Sequence, residues 1–554
     1  MNCPFDISSS IYETYYYCTQ CEICTKTIIC SCGIELTKQF SYSSITQQMQ
    51  NILSNHGTYT KIIETIKQIK LNEPHTNYEE IIHDCPKSSA TLLINSDGIE
   101  ILKGVGVWPI MLVINELPIS ERFLLKNIII PVVWSTSILP TTSQLQASIK
   151  LIVDELIYLE QGYEFYIPEL DRTLPLHVYT IFSCNDKPAQ AKMENIKQFM
   201  AEYGCGLCYT RGSLYRFSNN TQYTRLRRRQ QSGFNQNLFK SQPPIRVYPY
   251  EKDLTLRTNE THDNIIMKME QENLADEQGH LGYCEFRRLK YFNVGESWLI
   301  DDLHCVYEGV MKKLLFLWFE AKYRYYPWSI YKKIDLINTL IDNIHMPSTT
   351  SRRPRCIKQY KKYKASELKA ILHFGYSAFH HILPTIYYQN FLKFVAAINI
   401  ANSTSTNNDD VYIVQQLLDQ FVEEFEHLYT QRHMSSNVHS IQHVYLSVKH
   451  FKPLYTYSTF FFENINRLLK SLAHGTTQQP KQMISNLELF RVALLHTQTP
   501  SYPASLLHYC NQILDEKRNR YSTSECSLTK TSTSYESLYN NYLSGIPGII
   551  GTYY

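Results

Sequence analysis

The sequence predicts an α/β protein, in which a mixed sheet flanked by helices is interrupted by a large, mainly α-helical insertion. Strand-like and helix-like runs alternate over residues 86–204, whereas residues 285–430 are rich in Leu, Ile, Phe and Tyr and read mostly as helix. Hydrophobic residues make up 44% of the 554 residues and aromatic residues 13%. These totals are typical of a folded chain with two or three domains and a sizeable core.

The order of the alternating runs defines the predicted sheet. Three strands are followed by a helix, a fourth strand and a second helix, at residues 90–97, 105–114, 127–134, 144–160, 174–184 and 189–203. This is the order of a ribonuclease-H-like sheet, in which the first and fourth strands are neighbours. The sequence therefore predicts a ribonuclease-H-like core.

Carboxylates follow two of these strands and begin a later helix. Asp97 comes directly after the first strand, and Asp186 follows the fourth strand in the same way. Glu463 follows three phenylalanines at the start of a helix-like segment. An aspartate at a strand end is also a common turn former, so a single one is weak evidence. Three carboxylates from three separate elements, however, have the ligand chemistry to hold divalent metal ions.

Shifts in composition divide the chain into six predicted segments. These are a cysteine-rich knuckle at 1–35, a helical linker or arm at 36–85, the first part of the core at 86–208, a mainly helical insertion with basic loops at 209–430, the end of the core at 431–514 and a polar, flexible tail at 515–554. The end of the core carries a histidine pair and Glu463. In this arrangement the insertion separates the third carboxylate from the first two.

Charge and composition exclude several classes of protein. The 54 Lys and Arg against 51 Asp and Glu leave a net charge of +3, so any contact with DNA must come from local patches. Many of the 15 cysteines lie in close pairs, which favours thiolate metal sites in a reducing compartment over a disulfide scaffold. Residues 1–20 do not resemble a secretory signal. The uncharged stretch around residues 127–149 contains two prolines and suits a membrane span poorly, so we expect no membrane association.

The first segment contains a cluster of five cysteines. They follow the pattern Cys-x2-Cys-x2-Cys and then Cys-x-Cys, at Cys18, Cys21, Cys24, Cys30 and Cys32. Two tight turns that each present two thiolates can form a tetrahedral zinc site, and Cys18, Cys21, Cys30 and Cys32 are the candidate ligands. The spacing permits several pairings. The alternative is a partly degenerate module with free thiols.

Two further pairs of residues could each supply two of the four ligands of a metal site. Cys205 and Cys208 form a Cys-x2-Cys turn, and far downstream His439 and His443 are spaced i, i+4. Histidines at that spacing lie on one face of a helix and can present both rings to one ion. Alone, the cysteine pair is equally typical of two small buried residues at a turn.

Two basic clusters are candidate contacts for DNA phosphates. The first consists of Arg225, Arg227, Arg228 and Arg229 in a glutamine-rich stretch, and the second of Arg352, Arg353, Arg355, Lys358, Lys361, Lys362 and Lys364. The second interleaves two tyrosines, which suits phosphate contacts with aromatic support. The first could also be a nuclear import signal, and either could be a solvated surface.

Short motifs spread over nearly 400 residues resemble those of CACTA-type (En/Spm-like) DNA transposases, the animal branch in particular. In order, they occupy Ser96 to Gly98, Trp108 and Pro109, Ile114 to Pro118, Asn185 to Ala189, Tyr203 to Cys208, Asp301 to Cys305, Glu308 to Val310, Arg353 to Arg355, Lys364 to Leu368, Met434, Asn437 to His439, Phe462 to Asn464, and His474 with Gly475. Each motif alone is weak, but their shared order makes the resemblance specific.

The resemblance implies a DDE transposase that cleaves DNA strands at element ends and transfers them into target DNA. Its catalytic triad would be Asp97, Asp186 and Glu463 with Mg²⁺ or Mn²⁺ as cofactor. The zinc pattern of the family would join the two half sites into one, with Cys205, Cys208, His439 and His443 as ligands of Zn²⁺. The resemblance also implies a nuclear protein, and a homo-oligomer because two element ends must be joined.

Some features depart from that family and leave alternatives open. Many relatives are considerably longer, and this chain has little room for a separate end-recognising domain beyond the cysteine knuckle. The alternatives are a domesticated, catalytically silent protein that binds DNA or chromatin, and a general metal-dependent nuclease. The motif residues Asp301 and His304 could lie beside the metal ions or form a buried pair that fixes the insertion.

Overall fold

The computed structural model describes residues 12–136, 139–216, 244–348, 350–404, 407–451, 453–475, 477–499 and 501–508. The protein has an α/β fold, in which a mixed, mostly antiparallel sheet is flanked by helices and joined to a helical region. The predicted basic cluster of Arg225, Arg227, Arg228 and Arg229 and the predicted tail at 515–554 lie outside the described residues.

The main sheet contains ten strands. They are β1 (Glu13–Cys18), β2 (Ile23–Thr25), β3 (Lys38–Tyr42), β4 (Ser89–Ser96), β5 (Ile99–Leu102), β6 (Val105–Ile114), β7 (Ile129–Thr136), β8 (Tyr163–Ile167), β9 (Arg172–Cys184) and β12 (Trp298–Leu299). Eight of them follow the order β12-β9-β4-β6-β7-β3-β1-β2, while β5 pairs with β6 and β8 with β9. A separate two-stranded sheet joins β10 (Ser213–Tyr215) to β11 (Ile245–Val247).

The three neighbouring strands at one end of the sheet, β12, β9 and β4, are parallel. Strand β4 runs parallel to β9, with Ile94 opposite Ser183, and β9 runs parallel to β12. Strand β6 runs antiparallel to both β4 and β7. Every residue of β4 is buried, as expected for a strand that is covered on both faces. The ends of β4 and β9 therefore lie side by side at one edge of the sheet.

The strands predicted at the centre of the sheet are confirmed within two residues at each end. The helix predicted over 144–160 is also confirmed, as Thr142–Glu160, and it begins with a capping box between Thr141 and Gln144. The helix predicted over 189–203 was wrong in extent. It spans Lys187–Glu194 and ends because Asn195 adopts a left-handed conformation, with φ of 60°.

Strands within residues 12–85 extend the sheet, which the sequence did not predict. Strand β3 pairs with β7, so that Phe40 lies opposite Trp134, and β1 and β2 follow it outward. Three helices come next, at Ile45–Leu53, Thr58–Leu71 and Asn77–Asp84. The carboxylate of Glu155 accepts hydrogen bonds from Tyr42, at 2.5 Å, and from the amide of Thr46, at 2.8 Å. This anchors the arm to the long helix of the core.

The region after the sheet is mostly helical, as predicted for residues 285–430. Its helices and those that follow are Asn259–Glu272, the π-helix Asp302–Met311 with its α-helical continuation Lys312–Phe319, Ile334–Asp342, Ala365–Ala370 with the π-helical turn Ile371–Gly375, Thr385–Ala401, Asn408–Tyr429, Ser436–Ser440, Val444–His450, Thr459–Lys470 and Gln479–Thr497. One continuous hydrophobic core joins this region to the sheet. Among the described helices, none has the length and hydropathy to cross a membrane.

Candidate functional site

Two aspartates lie side by side at the edge of the sheet. Asp97 follows β4 and Asp186 follows β9, and the strand ends are tied together because Asn185 Oδ1 accepts a hydrogen bond from the amide of Ser96, at 2.6 Å. Asp97 Oδ1 accepts from the amide of Gly98 at 2.7 Å. Asp186 Oδ1 accepts from the amide of Ala189 at 2.8 Å, which caps the following helix.

Glu463 reaches the same edge from the helix Thr459–Lys470, which we call the Glu463 helix. One turn after Glu463, the side chain of Asn466 donates a hydrogen bond to Asp97 Oδ2, at 3.3 Å. The side chain of Glu463 is 50% exposed and therefore faces open space beside the two aspartates. The three carboxylates predicted from separate elements thus share one edge of the sheet.

The start of the Glu463 helix is held by two neighbouring aspartates of the insertion. The hydroxyl of Ser458 donates to Asp302 Oδ1 at 2.5 Å, and that of Thr459 donates to Asp301 Oδ1. Asp301 also accepts a hydrogen bond from the amide of Leu303, at 2.9 Å. Both aspartates are buried. The insertion therefore fixes the position of the helix that carries the third carboxylate.

His304 completes this arrangement. Its Nδ1 lies 2.5 Å from Asp301 Oδ2, and its Nε2 lies 3.8 Å from Glu463 Oε1. The sequence left open whether Asp301 and His304 form a buried pair or lie beside the carboxylates, and the geometry combines both. They also begin the π-helix Asp302–Met311, a conformation that is rare and frequently found at functional sites.

The carboxylates repel one another. Burial and, to a smaller extent, the charges of Asp186 and Glu463 together raise the pKa of Asp97 to about 7. Burial also raises the pKa of Asp186. Burial lowers the pKa of His304, but its hydrogen bond to Asp301 and the surrounding carboxylates outweigh that effect and raise the pKa to about 9. A cation is therefore favoured among these acidic groups.

The two half sites of the sequence meet in the fold. The ligand atoms of Cys205, Cys208, His439 and His443 all lie within 4.8 Å of one another, and all four residues are buried. Cys208 Sγ is 3.2 Å from His439 Nε2, and Cys205 Sγ is 3.6 Å from His443 Nε2. The hydrogen bond from Cys208 holds the pKa of the Cys205 thiol well below its usual range. Two cysteines and two histidines in a closed group could hold a metal such as zinc.

The chain around this group is built to hold the cysteine turn. Arg257, itself buried, donates from Nε to the carbonyl of Cys205 at 2.9 Å. The ring of Tyr248 stacks on His439, with centroids 5.3 Å apart. A Cβ at Gly204 would lie 2.4 Å from the carbonyl oxygen of Gln198, so the backbone approaches too closely for any larger residue.

Lys187 connects the two sites, and sequence reasoning missed it. It follows Asp186 directly, and its Nζ donates to Ser436 Oγ at 2.6 Å and Ser440 Oγ at 2.8 Å. Both serines lie on the helix that carries His439. The residue was visible in the motif from Asn185 to Ala189, but nothing in the sequence indicated a partner 249 residues away.

The cysteine knuckle forms a second candidate metal group. The thiols of Cys18, Cys21, Cys30 and Cys32 lie within 4.8 Å of one another, which resolves the pairing that the spacing left open. Cys24 does not take part, because it lies in β2 and packs against the main core, where burial raises its pKa to about 12. Four thiols in this arrangement could also hold zinc. Across the described ranges, the oxygens of the three carboxylates do not converge as tightly as these two groups.

Three of the seven cations in the second basic cluster pair with carboxylates of the chain. Arg355 donates to both carboxylate oxygens of Glu367, Lys358 pairs with Asp335 at 2.5 Å, and Lys361 pairs with Glu320 at 2.7 Å. The interleaved Tyr360 and Tyr363 are buried and cannot stack on bases. Arg352, Lys362 and Lys364 are exposed, and Arg353 donates to the carbonyl of Asp342.

No protein-family model matches the chain, and a comparison with curated proteins found no match. The functional argument therefore depends on the geometry and the chemistry of these sites.

Proposed function

We propose that the protein is a DDE-type DNA transposase resembling the CACTA family. It would cleave DNA strands at element ends and transfer them into target DNA, with Asp97, Asp186 and Glu463 holding Mg²⁺ or Mn²⁺. The observation that carries this proposal is the meeting of three carboxylates from three separate elements at one edge of the sheet, where their charges repel. Oxygen ligands of this kind suit Mg²⁺, which keeps several waters and leaves room for a phosphate.

The order of the central strands supports a ribonuclease-H-like core. Along β7-β6-β4-β9-β12, the strands β4, β9 and β12 are parallel and β6 is antiparallel to its neighbours. Strand β4 would be the first strand of such a core and β9 the fourth. These two strands are expected to be neighbours, so that Asp97 and Asp186 follow adjacent strands. The motifs that resemble those of CACTA transposases include both aspartates, because Asp97 lies within Ser96 to Gly98 and Asp186 within Asn185 to Ala189.

The proposed roles follow from position and charge. Bound divalent ions would activate a water or a 3′-hydroxyl and stabilise the leaving oxygen of the scissile phosphate. Asp97 would contribute to both ion positions, because it lies beside both the strand end that carries Asp186 and the Glu463 helix. Asp186 would serve one position and Glu463 the other. Because the phosphate is the electrophile throughout, no nucleophilic side chain is required.

The Cys2His2 group would hold zinc in a structural role. All four ligands are buried, which leaves no open position for a substrate. Zinc there would fasten the cysteine turn to the helix Ser436–Ser440 and to the turn Ile441–His443 that follows it. Its binding energy would then also be folding energy. DNA is the proposed partner, and a second copy of the chain would allow two ends to be joined.

A cleavage and strand-transfer assay tests the proposal. Purified full-length protein would be incubated with Mg²⁺ or Mn²⁺ and DNA carrying the flanking ends of its own genomic locus, beside Asp97→Asn and Glu463→Gln. We expect cleavage by the wild type, loss of at least about a thousandfold in both variants, equivalent to about 4 kcal/mol of transition-state stabilisation, and melting temperatures within about 2 °C of the wild type.

Other outcomes would favour the alternatives. A folded, zinc-loaded wild type that binds DNA without cleaving it would favour a domesticated DNA-binding protein. Cleavage without end specificity or strand transfer would indicate a general nuclease. A Glu463→Gln variant that does not fold would contradict the proposed role of Glu463.

A further inference from the structure

We infer that Lys313, Lys322 and Arg432 form a binding site for the phosphate backbone of DNA beside the cleavage site. This inference rests on the proposed function and names the surface by which the duplex would be held. None of the three residues belongs to the basic clusters that the sequence predicted.

The three cations come from different elements that pack together. Lys313 lies at the start of the α-helix Lys312–Phe319, one turn before Phe316 and on the same face. Lys322 lies in the following turn, Ala321–Tyr323, and its Nζ is 4.5 Å from the ring centroid of Phe316. Arg432 belongs to the turn Gln431–His433, and the ring of His433 is 5.4 Å from that of Tyr323.

The charges of the two lysines are not compensated within the fold. In the parts of the chain that the structure covers, no carboxylate lies within ion-pair distance of Lys313 or Lys322. The carboxylate beside Lys322 is that of Glu320, which binds Lys361 at 2.7 Å and Tyr360 at 3.1 Å. The lysines are therefore available to a negatively charged ligand.

The electrostatic environment supports the same conclusion. Burial and the charge of Arg432 lower the pKa of Lys313 to about 8, and the same two causes lower the pKa of Lys322. Burial lowers the pKa of His433 to about 2, and the three cations around it contribute to that value. Cations that repel one another in a partly buried position are stabilised by an anion.

The second basic cluster provides the contrast. There, Arg355, Lys358 and Lys361 each have a carboxylate partner within the chain. An incoming phosphate would have to displace these partners before it could bind. At Lys313 and Lys322 no carboxylate has to be displaced. Each lysine that binds a phosphate therefore releases the counterion of that phosphate from the DNA, which favours binding.

The cluster lies at a suitable distance from the carboxylates. Lys313 follows His304 by nine residues along one continuous helix, which corresponds to roughly 10–14 Å at about 1.5 Å per residue. Arg432 is linked to the same point, because the side chain of Asn437 donates to the carbonyl of His304 at 3.3 Å. With about 3.4 Å per base pair, the cluster would contact phosphates about three to four base pairs from the scissile bond.

Salt-dependent DNA binding tests the inference. Affinity of the full-length, zinc-loaded Glu463→Gln protein for duplex from the flanks of its own locus would be measured over a salt series. The double variant Lys313→Met, Lys322→Met is compared with the matched control Lys268→Met, Lys358→Met, whose lysines pair with Glu277 and Asp335. We expect the magnitude of the slope of log affinity against log salt to be smaller by about 1.8 in the first variant than in the parent. Between 50 and 200 mM salt, the fold loss of affinity should therefore be about ten times smaller in this variant than in the parent. The control should keep the slope of the parent.

The outcomes separate this inference from the proposed function. A parent that binds DNA with a steep slope, which neither double variant changes, would overturn the site and leave the transposase proposal standing. An equal loss in the control would overturn it as well. A parent with no salt-dependent binding would overturn both proposals. Restoration of the slope by Lys313→Arg, Lys322→Arg would support the site, because arginine preserves the charge.

Discussion

Two sites of opposite design lie side by side in this protein. The Cys2His2 group brings four buried ligands within 4.8 Å of one another. The carboxylate site is half open, since Glu463 is 50% and His304 37% exposed, and its acidic groups repel. A closed set of ligands is typical of structural metal sites, whereas an open one leaves room for a substrate. This difference is the reason that we propose a structural role for the first site and a catalytic role for the second.

The largest effect should come from breaking the closed site. In Cys208→Ser, the loss of a zinc ligand removes binding energy that is also folding energy, which amounts to about 10–16 kcal/mol in small zinc domains. We expect loss of the cooperative melting transition and of one zinc per chain, measured by thermal unfolding and metal analysis. Cys356→Ser is the matched control because Cys356 is half-buried and lies outside both groups. A variant with unchanged melting temperature and zinc content would contradict the assignment.

Lys187→Met should weaken the link between the two sites. Without the bonds to Ser436 and Ser440, Asp186 is held less firmly, but the four zinc ligands are untouched. Changes of this kind beside a metal site typically cost 10–100-fold, so we expect a drop in cleavage rate of about that size and a higher Mn²⁺ concentration for half-maximal activity. Lys197→Met, at the surface, should match the wild type. Loss of zinc from Lys187→Met would instead indicate a structural role.

The repulsion at the open site predicts how stability depends on pH. The pKa of Asp97 is about 7 in the folded protein, whereas an aspartate in an unfolded chain has a pKa of about 3.9. The folded protein therefore keeps a proton that the unfolded chain releases, and stability falls as pH rises from about 4 to 7. Without divalent ions other than zinc, Asp97→Asn should melt about 2 °C above the wild type at pH 8 and together with it at pH 4. A variant that is less stable at pH 8 would exclude this repulsion.

The smallest effect should follow from breaking the knuckle. Cys18, Cys30 and Leu36 form a separate small core at the far end of the sheet from β12. Cys21→Ser should therefore lower the zinc content by one per chain while the melting temperature of the main core stays within about 2 °C of the wild type. Metal analysis and thermal unfolding measure both quantities. Collapse of the whole core would show that the two metal groups are not independent.

Local patterns determined how much could be predicted. Strand β6 was predicted at its exact bounds because a buried strand gives a continuous apolar run. The adjacency of Asp97 and Asp186 followed from the order of strands. The helix after β9 was predicted too long because Asn195, a polar residue within an apparently helical run, ends it.

Contacts between segments that are far apart in the chain could not be predicted from local sequence patterns. Cys205 and His443 are 238 residues apart, and only the family resemblance joined them before the structure did. Lys187, the pair Asp301 and Asp302, and the uncompensated Lys313 have no local signature, because their roles depend on partners from other elements. Conversely, the sequence predicted that the basic run at 352–364 could contact DNA phosphates. Some of its cations instead pair with carboxylates of the chain, and one of these partners lies 41 residues away.

Localised metal binding tests the central claim most directly. Fe²⁺ bound in the zinc-loaded protein would reduce added hydrogen peroxide to hydroxide and a hydroxyl radical, with ascorbate to regenerate Fe²⁺. The radicals cut the chain beside the bound iron, and the fragments can be mapped by mass spectrometry. The account predicts cuts near Asp97, Asp186 and Glu463 that excess Mg²⁺ suppresses and that Asp97→Asn loses. Absence of cuts at all three positions, or cuts there that Asp97→Asn does not diminish, would contradict a divalent-metal site built by these carboxylates.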